Sequence, residues 1–285
     1  MLKINLTAIF ILFSSFVLSQ QSIFWKISKK GNEAYILGTY HYLGKDFLLN
    51  NNIILEKLKK SKIALSENID SAKIFINNRN ENLQLKRMNK NELQTIKNIV
   101  PYYIDSNKMT LRELIVTIDG KITQKFCLKK KKKIDETKMD DYLKEYCLKN
   151  RIKLEGLEPT EKTFDYLNHN LYSNTTEEKL IEIIKSKIKL LNSENQNINC
   201  LILNEYRTKK HIFNFERESQ EKFITLRNKD WIVKIDNAIQ EKEKAFIFVG
   251  LYHLDFKEGL LELLKSRGYS VEEIILNSQI IKKEH

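Results

Sequence analysis

The sequence predicts an α/β fold with a mixed, largely parallel central sheet flanked by helices on both faces. Three observations predict it. Short apolar, β-branched runs such as "AYILG", "KIALS" and "KAFIFVG" alternate with segments of helical periodicity, and strands separated by helices imply crossover connections. Only two prolines, Pro101 and Pro159, interrupt the chain, and no Pro-, Gly- or Ser-rich linker divides it, so residues 20–285 read as a single domain. Two of the apolar runs end in the same motif, G-x-x-H: Gly38-Thr39-Tyr40-His41 and Gly250-Leu251-Tyr252-His253.

The elements follow in order. Met1-Leu2-Lys3 is a short positive start, and the apolar run Ile4 to Leu18 leads to small Ser19. This pattern predicts a signal peptide over residues 1–19, with an uncleaved anchor as the alternative. The run is short for a bilayer span, so the expected product is exported, periplasmic or secreted, with no stable membrane insertion after cleavage. "SIFWKISKKGNEAYIL" reads as a β-hairpin turning at Gly31-Asn32. Asn52 to Lys60 has helical spacing, and "KIALSENID" is strand-like. "KNELQTIKNIV" is a helix with Asn89 as N-cap and Glu92 three residues on. Met139, Tyr142, Leu143 and Tyr146 stripe another helix, followed by a short strand in "KLEGLEPT" that turns at Pro159. The segments 175–192, 198–206 and 216–240 read as helices. Strand "KAFIFVG", helix "GLLELLKSRGY" and strand "SVEEIIL" close the chain.

The formal net charge is +12, and part of it lies in one run, Lys129 to Lys133. Like charges in series repel and stay solvated, so a loop is expected there. An envelope-associated protein that touches anionic glycan or lipid through this run is one alternative. Nucleic acid is excluded as a partner by the expected export. Cys127, Cys147 and Cys200 show no C-x-x-C pair, so neither a zinc ribbon nor a disulfide scaffold is indicated. One disulfide fits an oxidising compartment, and the sequence leaves its pairing open.

The chemistry sits in the repeated motif. Eight glycines and five histidines in 285 residues give about 0.14 chance G-x-x-H matches, so two are informative. A glycine at a strand end lets the backbone turn sharply and lets a ligand approach. The histidine three residues on then lies at the carboxyl edge of the sheet, where open α/β sheets place ligands. Glu67, ending "IALSE", reaches the same edge. His41, His253 and Glu67 suit a divalent metal (Mn, Co or Zn) that keeps a position open for water and lowers that water's pKa. His169, His211 and His285 lie in polar, irregular contexts and are left out of this set.

At these residues the sequence resembles the TraB/GumN family, whose eukaryotic relatives include the Tiki proteins. The likeness covers nearly the whole mature chain, in the order "ILGTYHYLG", "ALSENID", "KLEGLEPTEKTFDYL", "LRNKDWIVKI" and "FVGLYHLDFKEGLLELLKSRGYSV". It departs in the last block. There Tyr252 precedes the histidine in place of a small residue, and Asp255-Phe256-Lys257 follow in place of Pro-Gly. The resemblance implies a metal-dependent hydrolase of a peptide or ester substrate, on an erythromycin esterase-like architecture. It carries the motif histidines onto His41 and His253, the glycines onto Gly38 and Gly250, and the acidic position onto Glu67. Arg227 and Asn228 match the "RN" block and Glu158 the "GLE" block. Arg227 would steady an oxyanion or bind a substrate carboxylate. Glu158 would serve as a general base or support a ligand. The alternative function is a secreted protein that binds a peptide or a metal without turnover.

Overall fold

The computed structural model describes residues 22–128, 138–194, 198–208, 211–241 and 244–276. The expected signal peptide, the Lys129–Lys133 run and His285 lie outside these residues.

Strands β1 (Phe24–Lys29) and β2 (Asn32–Thr39) form the predicted hairpin. Its turn is one residue earlier than the sequence suggests. Lys30 (φ 51°) and Gly31 (φ 84°) make the two-residue loop, with Lys29 paired to Asn32. Positive φ at both positions is the I′ pattern of a two-residue hairpin loop, and Asn32, already in β2, lies outside it. Helices α1 (Lys45–Leu49) and α2 (Asn52–Lys59) lead to β3 (Ile63–Ser66). Then come α3 (Ala72–Asn77), α4 (Lys90–Ile99), α5 (Leu111–Cys127) and α6 (Met139–Lys149). Strand β4 (Lys153–Gly156) is followed by α7 (Thr160–Asn170), α8 (Glu177–Asn192), α9 (Leu201–Thr208) and α10 (Lys222–Gln240). Strand β5 (Ala245–Gly250), α11 (Leu260–Ser266) and β6 (Ser270–Glu273) complete the order.

The six strands lie in the order β4-β3-β5-β2-β1-β6. β4, β3, β5 and β2 run parallel, and β1 pairs antiparallel with both β2 and β6. This is the expected mixed, largely parallel α/β sheet with helices around it. The centre explains why β5 reads as an unbroken apolar run. Ala245 to Val249 are all fully buried, and successive strand residues face opposite sides, so both faces of the sheet are covered there. The core on the sheet joins Trp25, Ile36, Leu65, Trp231, Ile247 and Phe248. A second apolar cluster lies wholly between helices, where Ile96 of α4, Leu114 and Ile118 of α5, and Ile184 and Ile188 of α8 meet.

Capping chemistry sets two of these helices. Asn89 and Glu92 form the predicted capping box of α4, and Thr110 with Glu113 forms a second at α5. Helix α7 was not visible in the sequence pattern: Pro159 starts it, yet Thr160 is its only buried residue. Cys127, the last residue of α5, is joined by a disulfide to Cys200, just before α9, across a Cα–Cα distance of 5.6 Å. Cys147 is free and buried. No helix among the described residues is long and apolar enough to cross a membrane.

Candidate functional site

The register of the parallel strands brings the site together. Thr39 of β2 pairs with Gly250 of β5, and Ser66 of β3 pairs with Phe248. The residues that leave these strands, His41, Glu67 and His253, therefore emerge side by side at one edge of the sheet. The chains after β3 and β4 stay paired beyond the ladder, Leu157 N donating to Ser66 O and Glu158 N to Glu67 O. That pairing delivers Glu158 beside Glu67.

Helix α10 closes the site from below. Arg227, Trp231, Ile235 and Ile239 recur every four residues, and all are buried. They form one helix stripe whose apolar part packs under the sheet and whose polar beginning lies beneath its carboxyl edge. Arg227, 1% exposed, joins three groups. Its Nε donates to Glu158 Oε1 at 2.7 Å, its Nη2 to Glu67 Oε2 at 2.7 Å, and its Nη1 to His253 Nε2 at 3.2 Å. The guanidinium carbon stands 4.6 Å from the Phe223 ring centre and 4.4 Å from that of Trp231. Glu158 is filled by two further donors, Trp231 Nε1 at 2.9 Å and Thr163 Oγ1 at 2.7 Å.

The hydrogen bonds place a proton on Nδ1 of each histidine. Asn228 Nδ2 donates to the carbonyls of His253 and Glu258, which can only accept, so Asn228 Oδ1 faces His253 Nδ1 at 2.7 Å. Nδ1 therefore carries the proton and Nε2 is bare, as its contact with Arg227 requires. Burial pushes the His253 imidazole down to about 3, so the ring stays neutral. His41 lies on the exposed loop after β2, and its Nδ1 faces Asp140 Oδ2 at 2.5 Å. A carboxylate only accepts, so here too Nδ1 holds a proton. Asp140 raises the His41 imidazole well above its usual value. Burial would raise the Glu67 carboxyl, but Arg227, with His41 and the Gly250 amide, overrides it and holds it well below the usual carboxylate range.

Glycine 250 shows the convergence. A Cβ there would lie 3.2 Å from Glu67 Oε1, 3.8 Å from His41 Nε2 and 3.8 Å from His253 Cδ2. Its φ of −53° is ordinary, so the position is small to leave space, not to allow a turn. Gly38 likewise has no positive φ. A Cβ on it would meet Leu251 Cδ1 at 2.7 Å, so its smallness admits the turn that carries His253. The expectation that both glycines permit sharp backbone turns is corrected in this respect.

The donor set matches the chemistry of a divalent ion: two imidazoles with protonated, hydrogen-bonded Nδ1 atoms and one ionised carboxylate. The spacing is wider than coordination. Glu67 Oε1 is 3.9 Å from His253 Nε2, and Arg227 Nη1 occupies the lone pair an ion would take. Among the described residues no three His, Cys, Asp or Glu side chains stand together as a metal site.

Two groups escaped the sequence reading. Asp140, in the first turn of α6, is 99 residues from His41, and its only sequence signal is an acidic helix start. His211 is buried between Glu205 Oε2 and Asp255 Oδ2, each at 3.3 Å. Asp255 Oδ1 also takes the amides of Asn214 and Phe256, so this pair ties the loop beyond His253 to the segment after α9. His169 lies on α7, where its Nδ1 donates to Asp165 O, away from the set.

No curated protein and no solved structure matches the chain. The family model for the TraB/PrgY/gumN family matches residues 23–273, which include every residue of this site. With that span matched, the chain belongs to the TraB/PrgY/gumN family.

Proposed function

We propose that the protein is an exported metal-dependent hydrolase acting on a peptide or ester bond. The convergence on Gly250 carries this reading: Glu67 Oε1 and His41 Nε2 border one point beside the buried His253. His41, His253 and Glu67 would hold the ion, which would supply Lewis acidity and an activated water. Glu67 keeps its charge through Arg227, and Glu158 orients Arg227 through Nε. Because Arg227 is buried among three partners, we assign it to holding Glu67 and His253 in place, with Nη1 free to turn to developing negative charge once an ion takes His253 Nε2. The apolar run after Lys3 and the Cys127–Cys200 disulfide support export.

The second reading, a secreted binder without turnover, draws on the Arg227–His253 contact, which leaves Nε2 already engaged. The test is metal content and hydrolysis of peptide and ester panels by wild type and by His41→Ala/His253→Ala. Near-stoichiometric metal, activity lost on chelation and restored by Mn²⁺, Co²⁺ or Zn²⁺, and neither in a folded double variant are expected. A folded double variant as active as wild type would refute the enzyme reading. Stoichiometric capture of ligand without product would establish the binder.

A further inference from the structure

We infer that Asp140 is the positioning residue that aims His41 into the site. The inference rests on the proposed role of His41 as a ligand, and the geometry of the two histidines is its ground. His253 is held on every side: it is 3% exposed, its ring lies 4.4 Å from that of Trp231, and Asn228 grips Nδ1. The His41 side chain is 50% exposed, follows the end of β2 on a turn, and has no comparable packing. Asp140 supplies what packing does not. One carboxylate oxygen takes His41 Nδ1 at 2.5 Å, and the other takes the hydroxyl of Thr39 at 2.7 Å. Thr39 is the last residue of β2 and is 2% exposed. The carboxylate is thus tied to the strand end as well as to the ring two residues on.

Two consequences follow for the ring. The acceptor on Nδ1 keeps that nitrogen protonated and leaves Nε2 as the ring nitrogen facing Glu67 and Gly250. With the carboxylate anchored by Thr39, its bond to Nδ1 also restrains rotation of the His41 side chain, which a half-exposed imidazole would otherwise have. The two carboxylate oxygens of Asp140 are engaged by Thr39 and His41, so its action on the site passes through the His41 ring.

Two measurements on Asp140→Ala and Asp140→Ser separate this inference from the metal reading. A serine hydroxyl suits a helix start but is too short to span to Nδ1, so one of the two variants serves if the other folds poorly. In metal-free wild type, NMR should show a downfield hydrogen-bonded Nδ1–H of His41, identified by its absence in His41→Ala. It should vanish in a folded Asp140 variant, and its persistence there overturns the inference whatever the protein does with metal. In titrations with Mn²⁺, Co²⁺ and Zn²⁺, the same variant should bind about 10- to 100-fold more weakly at an unchanged unfolding midpoint. Wild-type affinity in the variant overturns the inference and leaves the metal site standing. Failure of wild type to bind any of the three ions refutes the metal reading instead, and the NMR result then decides Asp140 by itself.

Discussion

Glu67 Oε1 accepts the backbone amide of Gly250 at 2.8 Å. The carboxylate that leaves β3 is thereby fastened to the last residue of β5, the strand between it and His41. Its other oxygen is held by Arg227, so Glu67 is fixed at both ends before any ligand arrives. Pre-set groups of this kind need no reorganisation at the moment of reaction.

Gly250→Ala should separate fold from function. The new methyl would stand 3.2 Å from Glu67 Oε1, tight enough that Glu67 must shift by a few tenths of an ångström. The backbone at Gly250 is compatible with alanine, so little strain is added. We expect a folded protein with about the wild-type unfolding midpoint and at least about tenfold weaker metal binding or turnover, since displacements of this order at a reacting centre are costly. Thermal unfolding beside a metal titration checks it.

Arg227→Met should fail differently. It leaves Glu67 and Glu158 without their cation, and Glu158 is 5% exposed. Removing one partner of a buried ion pair costs about 3–5 kcal/mol, and here two carboxylates lose theirs. Arg227→Lys keeps the charge, but a single ammonium cannot serve three partners in a fork, so a partial loss is expected. Denaturant unfolding of both variants, compared with Glu158→Gln, measures the effect. Stability unchanged in Arg227→Met would contradict the burial argument.

Much of this site is written in the chain, and the remainder is not, for physical reasons. His41, Glu67 and His253 are legible because each ends an apolar run, and strand ends at the carboxyl edge of a parallel sheet must lie near one another. Arg227 and Glu158 emerged only through the family blocks, because a lone charge in a helix or turn has no local pattern marking it as buried. Asp140 had no signal specific to the site: an acidic residue in a first helical turn is common for the helix dipole alone, and its partner lies on another element. His211 looked irregular because its burial depends on Glu205 and Asp255 from two separate segments. The same limit hid α7, whose packed face is too small to show a period.

The capping box at α4 was readable from Asn89 and Glu92, and it gives a clean stability test. Asn89 Oδ1 accepts from Glu92 N at 2.9 Å, and Glu92 Oε2 accepts from Asn89 N at 2.8 Å. Asn89→Ala should cost about 1 kcal/mol and Asn89→Gly only a few tenths. Neither should alter metal binding, because α4 packs in the second apolar cluster. A matched loss of activity would show that this cluster and the site are coupled.

The cysteines separate the three thiols by environment. Cys127 and Cys200 are bonded across 73 residues of chain, a span that holds α6, β4, α7 and α8. In the chain-entropy account, closing such a loop is worth about 4 kcal/mol. Cys127→Ser/Cys200→Ser, or reduction, should lower the denaturant midpoint accordingly. Cys147 is fully buried, and burial pushes its thiol up to about 12, so it holds almost no thiolate at neutral pH. Counting thiols with a disulfide reagent tests both statements together. The native protein should show no reactive thiol, the unfolded unreduced protein one, and the unfolded reduced protein all three. A single fast-reacting thiol in the native state would place Cys147 at the surface and count against α6 packing on β3 and β4. Three thiols after unfolding without reductant would mean the α5–α9 link is absent, and the stability difference between wild type and the double serine variant should then vanish with it.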